Sequence, residues 1–410
     1  TEYTVENTSC GLMTLAIGSD REKYYLHSNG QVLHEGGVLA REWFDDNISE
    51  YIVYGYGFGY HILELMELDD SISIDVYEGD INVIQLACAF TDMSKILMSD
   101  RVHLIYDPSF NRLKAAVNNL NDEIKYVIHY PSLRNIKDIS IRESLEDYFV
   151  TYSSVNNQLH KLNNNFKNNL AYYDEYVDVL YKDFNSKDIY IIAAGPSLDK
   201  NFKELKKIGN NGIILSTGTV IKKLLMAGIN PDYAIITDAN QSVFNQIKDI
   251  NTSKVPLLFL STVYYKVPEK YIGKKYLICQ KGFKKAEKFA YENHYNLYQT
   301  GGSVSTTALS LGIHFKCKRI IFVGLDLAYT NNMDHAKGTD SVNFIEQLEL
   351  RQIEDIYGNV VNTGKNLDIY RKWIERQIKG VEEIEFIDAT EGGARIKGTK
   401  VRKLADCISG

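Results

Sequence analysis

"DIYIIAAGPSLDKN", residues 188–201, is an unbroken apolar run closed by Gly195, Pro196 and Ser197 and followed by a polar segment. A run without polar alternation is the pattern of a strand buried on both faces, as in a parallel sheet. Gly195 lets the chain turn with no Cβ in the way, Pro196 fixes φ, and Ser197 can cap a following helix or donate to an oxygen. The pattern predicts a helix from about Leu198, whose N-terminus would face an anion, with phosphate the natural guest. "AAGPS" is neither the dinucleotide fingerprint nor a P-loop, so a plain strand-to-helix turn is the competing reading.

Downstream, strands and helices alternate. "NGIILST" precedes a helix around Val220–Ala227, "DYAIITD" precedes another from about Gln241, and "PLLFLST", "KYLIC" and "CKRIIFVGLD" are further strands. This alternation with short loops predicts an α/β fold, a Rossmann-like doubly wound parallel sheet. Ligands of such sheets bind beyond the carboxyl ends of strands, which selects Gly195, Pro196, Ser197, Thr217, Gly218, Asp238, Asp326 and Tyr329. In "TGGSVSTTALSLG", Gly301 and Gly302 open a helix rich in small hydroxyl residues, among them Ser303 and Ser305. That composition suits either close approach by a ligand or close helix packing. After "RIIFVG", one loop holds Asp326, Tyr329, Asp334 and His335. A carboxylate, a phenol and an imidazole together supply a base and hydrogen-bond donors.

Upstream, "REKYYLHSNG" reads as a hairpin turning at Ser28-Asn29-Gly30. A strand at Tyr51–Tyr54 runs into Gly55, Gly57 and Gly59, then the helical "YHILELMEL" and a strand ending at Glu78. This begins a second, smaller Rossmann-like unit, whose glycines serve either a nucleotide or adenosyl-methionine ligand or tight packing. "RVHLIYD" and "EIKYVIHYPSL" add strands. Leu159, Leu162, Phe166, Leu170 and Tyr173 recur at helical spacing on an Asn/Lys-rich segment. The expected organisation is an N-terminal α/β domain over 1–140 and a helical connector over 141–185. A central domain follows over 186–340, with a C-terminal part over 341–410 that completes it. In that last part a helix, a hairpin turn at Gly358-Asn359 and a second helix with Tyr370 and Trp373 on its apolar side are expected.

Composition narrows the function classes. The 410 residues are 44% hydrophobic and 24% charged, with no apolar run near the roughly 20 residues of a membrane span. The net charge of −7 argues against nucleic acid as a partner. Cys10, Cys88, Cys279, Cys317 and Cys407 are scattered, which fits buried small hydrophobes rather than a disulfide framework or zinc knuckle. The opening residues lack a basic region followed by an apolar stretch, so a cytoplasmic protein is expected.

Taken in order, "YYLHSNG", "YGYGFGYHILEL", "IIAAGPSLDK", "ILSTGTVIKKLLMAGINPDYAIITDAN", "TGGSVSTTALSLG", "GLDLAY", "DHAKG" and "TEGGARIKGT" resemble the Maf family of motility accessory factors, from about Thr14 to Thr399. The resemblance implies a central domain similar to bacterial sialyltransferases. It also implies transfer of a nonulosonic acid, such as pseudaminic or legionaminic acid, from a CMP-sugar to Ser/Thr hydroxyls of flagellin. On that footing Gly195–Ser197, Thr217, Gly218, Asp238, Gly301, Gly302, Ser303 and Ser305 would lie by the donor, with Thr390, Glu391, Gly392 and Gly393. His335 would be the base, Tyr329 would stabilise the departing phosphate, and Asp326 would orient His335 or cap the loop. No metal or other cofactor is required by such a reaction.

Two other readings remain. Archaeal hydroxymethylpterin diphosphokinases share the Gly-Pro-Ser domain, and such an enzyme would hold Mg²⁺ on Asp238 and Asp326. A flagellin-binding, chaperone-like module would draw on the 29 tyrosines for protein contacts.

Overall fold

The structure, a computed structural model, describes residues 2–19, 23–118, 123–156, 158–329 and 350–408. The chain forms two compact units, Thr1–Ser154 and Val155–Gly410. Their boundary falls inside the stretch expected as a connector. Helix Ile139–Asn156 belongs to the first unit save its last residues, and Leu159–Asn169 belongs to the second.

The first unit opens with an antiparallel sheet of β1 (Tyr3–Asn7), β2 (Met13–Ile17) and β3 (Tyr24–Tyr25). The hairpin therefore turns before Tyr24, and Ser28–Gly30 leads into helix Val32–Trp43, which replaces the expected second strand. A four-stranded parallel sheet follows, built from β4 (Glu50–Tyr54), β5 (Ser73–Glu78), β6 (Val102–Tyr106) and β7 (Ile124–Ile128) in the order β6-β5-β4-β7. Tyr51 and Val53 enter one core, Ile52 and Tyr54 the other, so both faces of β4 are covered.

The second unit is built on a nine-stranded, all-parallel sheet. Its strands are β8 (Glu175–Tyr176), β9 (Asp188–Ile192), β10 (Ile213–Thr217), β11 (Tyr233–Ile236), β12 (Leu257–Leu260), β13 (Lys275–Ile278), β14 (Arg319–Val323), and two more given below. Between β14 and the last two, β15 (Arg351–Glu354) and β16 (Val360–Thr363) form a separate hairpin across Gly358-Asn359. β17 (Glu385–Asp388) and β18 (Lys400–Val401) complete the large sheet, in the order β18-β17-β14-β9-β10-β11-β12-β13-β8. Ile189 and Ile191 pack into one core while Tyr190 and Ile192 pack into the other, which is the two-faced burial that the uninterrupted apolar run of β9 requires.

Three local departures have physical causes. After Gly195 the chain makes a five-residue 3₁₀ turn, Pro196–Lys200, and a single helical turn, Phe202–Leu205, not a full helix. After Asp238 it makes another 3₁₀ turn, Gln241–Gln246, because the Asp238 carboxylate accepts the Asn240 N–H and competes with helical pairing. Arg351–Glu354 is a strand where a helix is expected, since the Asp355 carboxylate accepts the N–H groups of Tyr357 and Asn359 and closes a turn, with Gly358 at φ +86°. Cys279, Cys317 and Cys407 are buried, but Cys10 and Cys88 are exposed: Cys10 lies in the β1–β2 turn and Cys88 is on helix Ile81–Phe90 away from its buried residues Val83 and Ala87. Among the described residues, no helix is long and apolar enough to cross a membrane.

Candidate functional site

The large sheet reverses its direction of growth at β9. From there the chain steps outward through β10 to β13, and then returns to lay β14 on the other flank of β9. The crevice beyond the carboxyl ends of β9 and β14 is therefore the topological switch point, where ligands of open α/β sheets bind.

Gly195, Pro196 and Ser197 leave β9 at that crevice and meet the residues leaving β14. The Gly195 N–H donates to the Gly324 carbonyl at 2.7 Å. Ser197 donates twice to Asp326, through Oγ at 2.5 Å and through its N–H at 3.2 Å. A Cβ on Gly195 would stand 2.1 Å from Asp326 Oδ1, so glycine is required by this contact and not by backbone strain, the φ being −65°. Asp326 and Ser197 are both buried. The turn thus faces a carboxylate with both Ser197 donors engaged, and it continues as a 3₁₀ turn in place of the helix expected from Leu198.

The loop after β17 closes on the same point. Gly392 lies against Ser197 and Asp326, and Gly393, at φ +77°, backs onto the Asp326 main chain. Glu391 accepts Asn201 Nδ2 on its carboxylate at 2.9 Å and Lys200 Nζ on its carbonyl at 2.8 Å. Thr390 Oγ1 accepts the Leu325 N–H, and the Thr390 N–H donates to Asp388. Burial pushes the Asp388 carboxyl up to about 6, with the Asp326 charge adding to the shift and the Thr390 bonds opposing it. Residues 195–197, 326 and 390–393, distant in sequence, form one cluster, buried except at Gly195, Pro196 and Glu391, which are half-buried.

The neighbouring strands carry the rest. Thr217 ends β10, and its buried hydroxyl has no hydrogen-bond partner. Gly218 is close-packed against Gln246 and Ile236. Asp238, past β11, holds Asn240 through its side chain and Tyr264 through its carbonyl. Gly301 and Gly302 lie under Trp373 and Tyr370 of helix Lys365–Ile378. Burial, with the Asp238 charge adding to it, raises the Tyr370 phenol. Ser303 caps helix Val304–His314 in a reciprocal box with Thr306, and Ser305 is buried in its first turn. Tyr329 is half-buried with its hydroxyl over Gly364, at the start of helix Lys365–Ile378. His335 and Asp334 lie outside the described residues.

Several supports have no motif to announce them. Asp368 is buried among Arg351, Arg371 and Lys372 and anchors the helix that carries Tyr370 and Trp373. Asn165 and Asn169, on helix Leu159–Asn169, donate to the carbonyls of Ala239, Ser261, Thr262 and Val263, tying down the loops after β11 and β12. Their signal was an Asn on the buried face of an amphipathic helix. Among the described residues, Asp238 and Asp326 belong to no group of three metal-capable side chains.

Solved structures that match this chain include that of the Maf glycosyltransferase from Magnetospirillum magneticum AMB-1, at 15% identity and a TM-score of 0.52, over 98% of this chain and 71% of that one. The chain has the Maf fold. That likeness bears out the fold which the ordered motifs implied. The family described as 6-hydroxymethylpterin diphosphokinase MptE-like matches residues 156–332, which span the sheet from β8 to β14. Comparison with curated proteins gives no match.

Proposed function

We propose that the chain is a Maf-type glycosyltransferase that moves a nonulosonic acid from a CMP-sugar to Ser/Thr hydroxyls of flagellin in the cytoplasm. The observation that carries this reading is the polar cluster at the switch point of a sheet whose fold is shared along nearly the whole chain with a Maf glycosyltransferase. Displacement at the anomeric carbon builds positive charge on the sugar and negative charge on the departing phosphate. Tyr329 and the free Thr217 hydroxyl serve as donors toward that charge, and Asp238 serves a ribose or acceptor hydroxyl. Asp326 acts through Ser197, holding the turn after β9 against the loop after β17. His335 takes the acceptor proton. The chemistry calls for no metal.

Calorimetry with CMP and CMP-sugars, beside ATP, GTP and adenosyl-methionine, tests the donor. Absence of CMP binding at millimolar ligand refutes it. Intact mass of co-expressed flagellin tests the acceptor, and His335→Ala is expected to abolish glycan addition with CMP affinity retained. The match to the pterin diphosphokinase family favours a second reading, in which Asp238 and Asp326 hold Mg²⁺. Magnesium-dependent release of AMP from ATP and a hydroxymethylpterin would establish that reading in place of the first.

A further inference from the structure

The first unit holds three histidines that the proposed reaction does not use. His27 follows β3, His61 lies in the first turn of helix Tyr60–Met66, and His129 follows β7. All three are buried, and their ring centroids form a triangle of 4.4, 4.8 and 5.4 Å. One nitrogen of each ring is held from outside the triangle. His61 Nε2 donates to the Gly55 carbonyl at 3.0 Å, His129 Nδ1 pairs with Ser132 Oγ at 2.7 Å, and His27 Nε2 accepts the Phe58 N–H at 3.0 Å. The other nitrogens, His61 Nδ1, His129 Nε2 and His27 Nδ1, are buried without a partner. Buried polar atoms are nearly always hydrogen-bonded, so three orphans in one cluster point to a missing guest. Each ring offers a nitrogen within 4.8 Å of the others, and among the described residues no other trio of metal-capable side chains is so placed.

The trio sits at this unit's own switch point. β7 lies on the opposite flank of β4 from β5, and the His129 N–H donates to the carbonyl of Tyr54, the last residue of β4. The glycines after β4 make room for it: a Cβ on Gly57 would stand 2.4 Å from His27 Nε2, and one on Gly55 would meet Ser132 and His129. The space that would take a nucleotide is filled by imidazole.

We propose that His27, His61 and His129 bind one divalent transition-metal ion of the zinc class. The rings lie at 12°, 26° and 36° to one another, so to hold a tetrahedral ion at about 2.0–2.1 Å they turn out of that stack until their nitrogens converge. Ligand histidines ordinarily donate their second N–H to a carbonyl or other oxygen, as His61 and His129 are arranged to do with Gly55 and Ser132. Burial disfavours the charged form of each ring, and because His61 Nε2 donates to Gly55 its Nδ1 holds a lone pair for a cation. His27 Nε2 accepts from Phe58, so its Nδ1 carries the ring proton; binding there moves that proton to Nε2, which then donates and no longer accepts from the Phe58 N–H. The fourth position goes to water. The ion would tie together three segments of the first unit that are far apart in sequence.

Elemental analysis of the full chain, purified without chelator, is expected to give about one zinc-class ion per chain. After chelation, Co²⁺ should restore a tetrahedral absorption spectrum. His129→Gln should lose the ion, while the exposed-site control His103→Gln keeps it. If the His129 variant does not fold, the wild-type cobalt spectrum decides. A folded wild-type chain that is metal-free, and whose unfolding midpoint zinc does not move, overturns the proposal. So does an ion that His129→Gln retains.

Discussion

Gly195→Ala tests the architecture of the switch point directly. Gly195 has φ −65° and ψ 158°, a conformation that alanine adopts freely, so the substitution acts through contact alone. The new Cβ would lie 2.1 Å from Asp326 Oδ1 and 2.6 Å from the Gly324 carbonyl. To reach an ordinary 3.4 Å contact, that carbonyl must retreat by about 0.8 Å and the carboxylate by more, and the Ser197–Asp326 pair must part. Overpacking of this kind costs about 1–3 kcal/mol. For a unit of this size that lowers the unfolding midpoint by roughly 2–10 °C. A shift near 1 Å passed on from this turn to the proposed site slows transfer on the order of 100-fold. Gly392→Ala is the graded comparison, since its Cβ approaches only to 3.2 Å of Ser197 Cβ, and its effect should be clearly smaller. Scanning calorimetry and transfer to flagellin followed by intact mass read both. A Gly195→Ala protein with wild-type midpoint and wild-type transfer refutes the packing of the turn on Asp326.

Three further outcomes follow from buried groups. Thr217→Val removes an unpartnered buried hydroxyl, so thermal unfolding should show stability rising by about 1 kcal/mol while CMP-sugar affinity falls; unchanged affinity removes Thr217 from the site. Asp368→Asn leaves Arg351, Arg371 and Lys372 around a neutral partner, at a cost of about 3–5 kcal/mol, and the loosened helix should shift Trp373 fluorescence to longer wavelength. Glu78, buried at the end of β5, has its carboxyl pushed up from 4.5 to about 7 by burial, against the pull of the Asp80 and Tyr56 N–H groups. The fold favours its protonated form, so that stabilisation is full below pH 4.5 and is lost as pH rises through 7, amounting to about 3 kcal/mol. Glu78→Gln should flatten that dependence in first-unit unfolding measured against pH.

The sheets were legible because their strands are buried on both faces and read as unbroken apolar runs, as in Ile189–Ile192 and Arg319–Val323. The glycines at 195, 301, 392 and 393 were legible as places of close approach, but not what approaches them. Gly195 is met by Asp326 from 131 residues away, and Gly301 by Trp373. Such pairings are set by which strands become neighbours, and neighbour order has no local pattern. Helix lengths misread for a related reason. Pro196–Lys200 stops short while the N–H of Ser197 is held by a carboxylate from the loop after β14, and Arg351–Glu354 leaves the helical pattern because of a turn that Asp355 closes. The three histidines were invisible for the same cause: His27, His61 and His129 stand in separate segments, and only tertiary packing, including the parallel pairing of β4 with β7, gathers them.

Glycine beside a strand end is the feature that both units share, and the structure separates two uses of it. In the dinucleotide pattern, a glycine is kept free of Cβ so that a phosphate can approach the backbone. Here the approaching group belongs to the protein: a carboxylate at Gly195 and an imidazole nitrogen at Gly57. A glycine loop filled from within orders the strand ends, and beside each loop stand polar groups that remain unspent. In the second unit one of these is the Thr217 hydroxyl; in the first they are three imidazole nitrogens. The Thr217 hydroxyl suits a sugar-nucleotide's oxygens and the imidazoles suit a cation. Losing the ion should therefore lower the stability of the first unit and leave CMP affinity in the second where it was.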